Sequence, residues 1–449
     1  MQRVSRFTRL SALTLGIAGA LSLGQAHASG FQIKENSVKA QGRSYAGSAA
    51  VAGDASVVSN NPALMTRFEG TTVQADVTAI DLGFKFEGSG TDALGQPLSG
   101  GTGGDAGDLI PVPALSVVHK LDNGLALGAM VSAPFGLKTE YEGPWAGRYW
   151  ADTSDLKTVD LTLSMAYEVV PDRFSFGLGV IYERADVTLS RYVDFGTLLF
   201  ANPATRPLPF ARPQAADGHA EVEGDSTGWG WLVGFNLRPT DKLSIGFSHR
   251  SEIDHEIEGD VTWTVPANVR AVLNANPTTA PLFVNGAAGA DLTTPSVTTL
   301  SVAYQFTDRF AMMADWSRTD WTSLREVNID FANPDPNSIE EFDWKETNFS
   351  SIGAEYKLNE AWTLRGGYAY DETPTHIATR TPRLPDEDRQ WLSVGASWQA
   401  TPNLELNFAY TYLKADTPQV NLADAQGHRL VGEYDASINL YGVSAQYKF

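Results

Sequence analysis

The feature that most constrains this chain is the order of its connections. From Val73 to the last residue, stretches in which apolar residues alternate with Gly, Ser, Ala or Thr are joined by links of two kinds, taken strictly in turn. The short links carry turn chemistry: KLDNG at Lys120, VVPDR at Val169, RPTDK at Arg238, QFTDR at Gln305, KLNEAW at Lys357 and QATPN at Gln399. The long links are polar and rich in Gly and Pro, as over 87–111, 189–227, 258–294, 330–341, 371–387 and 414–434. Six short and seven long connections in alternation make fourteen strands, with both ends of the series on the short-turn side. RFSFGLGVIY shows the strand rhythm: Phe174, Phe176, Leu178, Val180 and Tyr182 share one face, and Ser175, Gly177 and Gly179 the other. A soluble sandwich has no reason to alternate its loops so strictly. A transmembrane β-barrel does, with periplasmic turns, extracellular loops and a closed ladder that leaves no edge in hydrocarbon. The predicted fold class is therefore all-β: a fourteen-stranded antiparallel transmembrane barrel.

The start of the chain agrees. Arg3, Arg6 and Arg9 precede an apolar core from Leu10 to Leu23 and an Ala26-His27-Ala28 cleavage site. At fourteen residues that core is shorter than the roughly twenty a spanning helix needs. It reads as a secretory signal over 1–28, so the 449-residue chain matures from Ser29. There is no Cys, which removes disulfides and thiolate metal sites. A formal charge of −20 argues against a nucleic-acid partner. The last strand, LYGVSAQYKF, turns Tyr441, Val443, Ala445, Tyr447 and Phe449 outward. The terminal Phe449 is the expected handle for barrel assembly machinery, in a monomer bordered by outer membrane lipid and lipopolysaccharide. The eleven Trp are expected mainly as interfacial anchors rather than ligand-stacking groups.

Residues 29–70 fall outside the strand rhythm. Residues 42–53 are small and Ala- and Gly-rich, and SNNPALMTRFEG carries an Asn-Asn-Pro turn. The segment is too long for a tail and too small for a domain. A compact plug inside the lumen is expected, with 71–449 as the barrel, because irregular backbone is tolerated at membrane depth where protein surrounds it. Composition alone also allows a disordered periplasmic extension.

At this point the residues resemble one family, the FadL-type outer membrane transporters of long-chain fatty acids, which includes toluene and xylene transporters. The mature start SGFQIKENSVKAQGRSYAGSAAVAGDASVVSNNPALM is similar to that family's N-terminal hatch. APFGLKTEYEGPWAGRY from Ala133, HRSEIDHEIEG from His249, RGGYAYDETP from Arg365 and LPDEDRQWLSVG from Leu384 match further segments. The resemblance implies passive uptake. Ligand is held first in an apolar groove among the outer loops, then in a pocket above the hatch, and leaves through a gap made by a kink in the third strand. Pro134, Phe135 and Gly136 are the expected kink. Pro134 cannot donate to the ladder and Gly136 weakens the strand, although Pro134 alone would equally suit a strand ending at the outer rim. The resemblance also implies that Gly30 and Phe31 reach the ligand, together with Gln32. It makes Asn61, Pro62 and Ala63 a brace against the kinked strand, where the Asn side chain would satisfy backbone groups left unpaired.

A buried fatty-acid carboxylate needs a cationic partner, and the family uses basic residues for it. Arg184 lies nearest to one such position, but regular parity turns it outward beside Tyr182 and Glu183 inward, so that a bulge would be required. Arg325 is the second candidate. This leaves neutral aromatic or aliphatic hydrocarbons open as cargo.

Other functions fit less well. A general porin needs no plug, and forty residues cannot make the far larger plug of energy-coupled transporters. No His stands in a hydrolase or metalloprotease motif, so no catalytic residue, cofactor or metal is expected. His249 and His255 have a spacing that permits a shared metal, and PDEDR at Pro385 reads as solvated loop acids.

Overall fold

The computed structural model describes residues 30–449; the signal sequence expected over 1–28 lies outside the described residues. Twenty ladder segments build one sheet that closes on itself. The first strand, Thr71–Thr91, pairs on one side with the second, Leu109–Lys120, and on the other with the last, Arg429–Lys448. Every ladder between strands is antiparallel, and six strands are each broken into two ladder segments, so the ring has fourteen strands, as the connections predicted.

The period-two pattern becomes an oily exterior and a close-packed interior. Along the fourth and fifth strands, Thr153–Val170 and Phe174–Asp194, Leu161, Leu163, Met165, Leu178, Val180 and Tyr182 are exposed on the outside. Between them Ser164, Ser175, Gly177 and Gly179 are buried. Several strands run well past the bilayer. The sixth, Asp217–Thr240, has 24 residues, whereas about ten tilted residues cross an outer membrane. Much of the link expected over 189–227 is therefore ladder, capped by a short helix at Phe195–Ala201. Its residues alternate polar with polar, so both faces look like loop in the sequence.

The small inward residues have a reason: the segment before the first strand packs on them. Gly47 and Ser48 donate their amides to Asp315 at 2.5 and 2.9 Å, and Ala49 to Ser301 Oγ at 3.0 Å. Ser44 bonds Ser393 at 2.8 Å, and Arg43 shares Glu355 with Arg365 at 2.6 and 2.8 Å. A Cβ at Gly246 would land on the Ala49 carbonyl, and one at Gly395 on the backbone of Gly42. Toward the second and third strands the contact is apolar, with Val58, Leu64 and Met65 packed on Ala114, Val118, Ala126 and Met130.

The aromatic girdle is only part of the tryptophan story. Trp229, Trp231, Trp316, Trp362 and Trp398 are exposed on the wall, but Trp145, Trp321, Trp344 and Trp391 are buried within. The expectation of anchors fails for these four: Trp145, Trp321 and Trp344 sit on connections that fold inward, Trp391 faces inward by strand parity, and composition reveals neither.

Candidate functional site

The third strand is broken. It runs Leu125–Ser132, skips Ala133, Pro134 and Phe135, and resumes as Gly136–Glu140. Below the break it pairs with the second strand from Lys120↔Ala126 to Leu115↔Val131; above it, Gly136–Glu140 pairs only with the fourth strand. Residues 109–114 of the second strand thus have a ladder to the first strand and none to the third. The wall is unstitched there until Glu140 N donates to Ala106 O at 3.2 Å.

Two prolines suit this bare edge. Proline has no N–H to give, yet the ladder to the first strand continues through Pro111 and Pro113. The missing donors therefore fall on the side facing the gap, where they leave fewer groups wanting a partner. In the sequence Pro111 closes the link expected over 87–111, so its place on a strand edge is not apparent there.

The other side of the break is completed by the N-terminal segment. Ile33 N donates to Pro134 O at 2.7 Å, Gly136 N donates to Phe31 O at 2.8 Å, and Gln32 faces Phe135 in an antiparallel bridge. Thr158 on the fourth strand takes up the remaining groups, its Oγ accepting from Phe135 N at 3.1 Å and its amide donating to Phe135 O at 3.0 Å. Asn61 does not serve the kink as expected. It is fully buried, donates to Ala49 O at 2.6 Å and to Phe235 O on the sixth strand at 3.0 Å, and accepts from Ala63 N at 3.1 Å. Ala63 O accepts from Ser175 Oγ on the fifth strand at 2.9 Å, and Pro62 lies over Gly177. The Asn61-Pro62-Ala63 element braces the intact fifth and sixth strands, while Leu64 and Met65 just after it pack on the unbroken lower part of the third.

Phe31 and Phe135 meet in an aromatic cluster. Their centroids are 6.0 Å apart, and Phe31 lies 4.7 Å from Trp321 and 5.5 Å from Trp344, mostly edge to face. Phe31 also lines a narrow cavity of about 80 Å³ with Leu137, Leu156, Val187, Leu292 and Leu384. Gly30 sits beside Trp321 and Trp344 and donates its amide to Asp386 at 3.0 Å. A second cavity, of about 120 Å³, is polar and lined by Ser132, Pro134, Lys34, Asp160 and Arg250. There Arg250 pairs with Asp160 and Glu183 at 2.5 and 2.7 Å, and Glu183 also holds His255 at 2.9 Å.

Neither expected carboxylate partner reaches a cavity. Arg184 is half-exposed on the outer face, tied to Asp186 at 2.9 Å and Asp225 at 3.3 Å, because the fifth strand is regular there and no bulge turns it inward. Arg325 is exposed. The basic group at the apolar cavity is Arg383, buried in the loop of residues 372–388. No spacing rule marks a loop arginine as interior. Of the PDEDR acids, Asp386 is buried, accepting from Gly30 and Thr373 and pairing with Arg389, whereas Glu387, paired with Arg380, and Asp388, accepting from Thr373 N, are partly exposed. His249 and His255 do not converge, the first lying against Trp231 and the second on Glu183.

Comparison with known proteins gives a consistent picture. The profile of the family described as outer membrane protein transport protein (OMPP1/FadL/TodX) matches residues 19–449. Outer membrane protein P1 of Haemophilus influenzae is 30% identical over 97% of this chain and 98% of its own. The long-chain fatty acid transport protein of Salmonella typhi is 28% identical over 99% and 100%. The crystal structure of a Pseudomonas aeruginosa FadL homologue superposes with a TM-score of 0.87 at 27% identity, over 93% of this chain and 99% of that one.

Proposed function

This chain belongs to the outer membrane transport family OMPP1/FadL/TodX, and on that premise we propose that it takes up long-chain fatty acids and releases them sideways through the break in the third strand. The observation that supports the reading is the apolar cavity bounded by Phe31 and by Leu137, a residue of the resumed third strand that has no ladder to the second strand. Residues 29–70 act as the stopper. With the lumen filled by them, an oily molecule has the lateral opening as its way out, into lipid rather than water. The process is passive. Affinity comes from burying methylenes at roughly 0.8 kcal/mol each, and the cavity widens around its guest as the aromatic side chains part. A relative that carries the name long-chain fatty acid transport protein supports the choice of cargo, and so does a guanidinium at the end of the cavity. A neutral hydrocarbon would travel the same route with no use for that charge.

The test is uptake by a strain lacking its own transporter and complemented with this chain. Saturable entry of radiolabelled hexadecanoate, with little of toluene, is the expected result. Uptake of neither, or large steady ion currents in planar bilayers, would overturn the reading.

A further inference from the structure

Arg383 is about 4% exposed, and its backbone is fixed by Thr139 Oγ1, which donates to its carbonyl at 3.0 Å, and by Tyr141, which donates to Pro382 O at 2.6 Å. Its guanidinium is poorly satisfied for a buried one. Nη1 makes three long bonds, to Ser154 Oγ at 3.1 Å, Ser190 O at 3.2 Å and Thr153 O at 3.4 Å. Nη2 meets Glu340 only at 3.5 Å, and Nε has no hydrogen-bond partner although it is buried. The loosely used edge, Nε with Nη2, is one that grips a carboxylate through two parallel N–H bonds.

The local charge points the same way. Glu340, which also lines the cavity, is shared between Arg383 and Arg191, the latter at 3.8 Å. Asp152, the other acid within electrostatic reach of Arg383, is committed to His219 at 2.9 Å and Ser190 at 3.3 Å. Two guanidinium groups therefore share one carboxylate. A buried cation without a close partner is costly, and an anionic guest would relieve that cost.

We propose that Arg383 is the receptor for the acid group of the cargo, exchanging its long contact with Glu340 for a two-bond grip on a carboxylate whose chain lies along the Phe31 cavity. The proposal rests on the fatty-acid reading above and narrows it to one residue and one edge of its guanidinium. Glu340 is the internal competitor that holds the site while it is vacant.

Two ligands of equal chain, hexadecanoate and hexadecan-1-ol, separate the charge from the burial. Binding to detergent-solubilised full-length protein is measured for the native chain, Arg383→Gln and Glu340→Gln, with heat-modifiable migration on gels as the check on folding. Arg383→Gln is expected to weaken the acid at least tenfold and the alcohol by less than threefold. Glu340→Gln, which removes the competitor, is expected to tighten the acid and leave the alcohol unchanged. Equal losses for acid and alcohol in Arg383→Gln, or no gain for the acid in Glu340→Gln, would overturn the assignment while leaving transport intact. If the native chain binds neither ligand, the fatty-acid reading falls and the receptor with it.

Discussion

The segment before the first strand meets the wall in two ways, and the two are mechanically opposite. At Asn61–Ala63 it presses a buried side-chain amide and a close-packed proline against intact strands five and six, over glycines that leave no slack. At Phe31–Ile33 it lends its backbone to a strand that has come apart, supplying one donor and one acceptor where the ladder has stopped. The first contact is a lock: breaking it strands dry polar groups. The second is a latch, made of two hydrogen bonds and aromatic edges beside a cavity. A plug that had only locks would seal the barrel. On the proposed uptake route, one with a latch at Phe31–Ile33 is held in place and still offers a part for cargo to displace.

The largest effect should come from breaking the lock. Asn61→Ala removes two donated bonds and one accepted bond, at about 1 kcal/mol each, for a loss of about 3 kcal/mol. Amides of residues 47–65 should then exchange about a hundredfold faster, with those of the wall unchanged. Equal acceleration in the wall strands would mean that lock and barrel are one cooperative unit. A smaller effect should come from closing the gap on the latch side. Pro111→Val with Pro113→Val restores two ladder donors on the edge that faces the third strand. At about 1 kcal/mol each they would favour the stitched wall by roughly 2 kcal/mol, a factor of about thirty in the open population. Uptake should slow accordingly while ligand affinity holds. Unslowed uptake would mean that cargo does not leave there.

The contrast also marks what could be read in the chain beforehand. Fourteen strands were legible because period two and alternating loop length are repeated signals, each strand supporting its neighbours. The break was legible at Pro134 and Gly136, where the residue chemistry is local. Its partner was not, since Phe31-Gln32-Ile33 is an ordinary tripeptide and nothing near it in sequence says that it will pair a hundred residues away. For the same reason Asn61 was assigned to the wrong strand. Arg383 was missed because its burial is produced by a loop folding inward, and side chains on loops have no periodicity from which to infer a face.

The smallest effect, a pH dependence, sharpens the comparison from above the membrane. The loop of residues 141–152 continues the broken strand, and its Tyr149 stacks on His428 at 4.2 Å. Burial works against a charge on His428, but hydrogen bonds to Asp194 at 3.1 Å and Asp424 at 2.7 Å outweigh it and raise the imidazole's pKa from 6.5 to about 9. A folded-state pKa above the unfolded one gives stability that is full below pH 6.5 and is lost as pH rises through about 9. Raising the pH across that window should therefore loosen the loop that continues the broken strand, seen as faster proteolysis of residues 141–152. The lock should not respond, since Asn61, Ala63, Phe235 and Ser175 carry no titrating group. His428→Gln should flatten the profile of residues 141–152, and a profile that stays steep in this variant would assign the transition to another group.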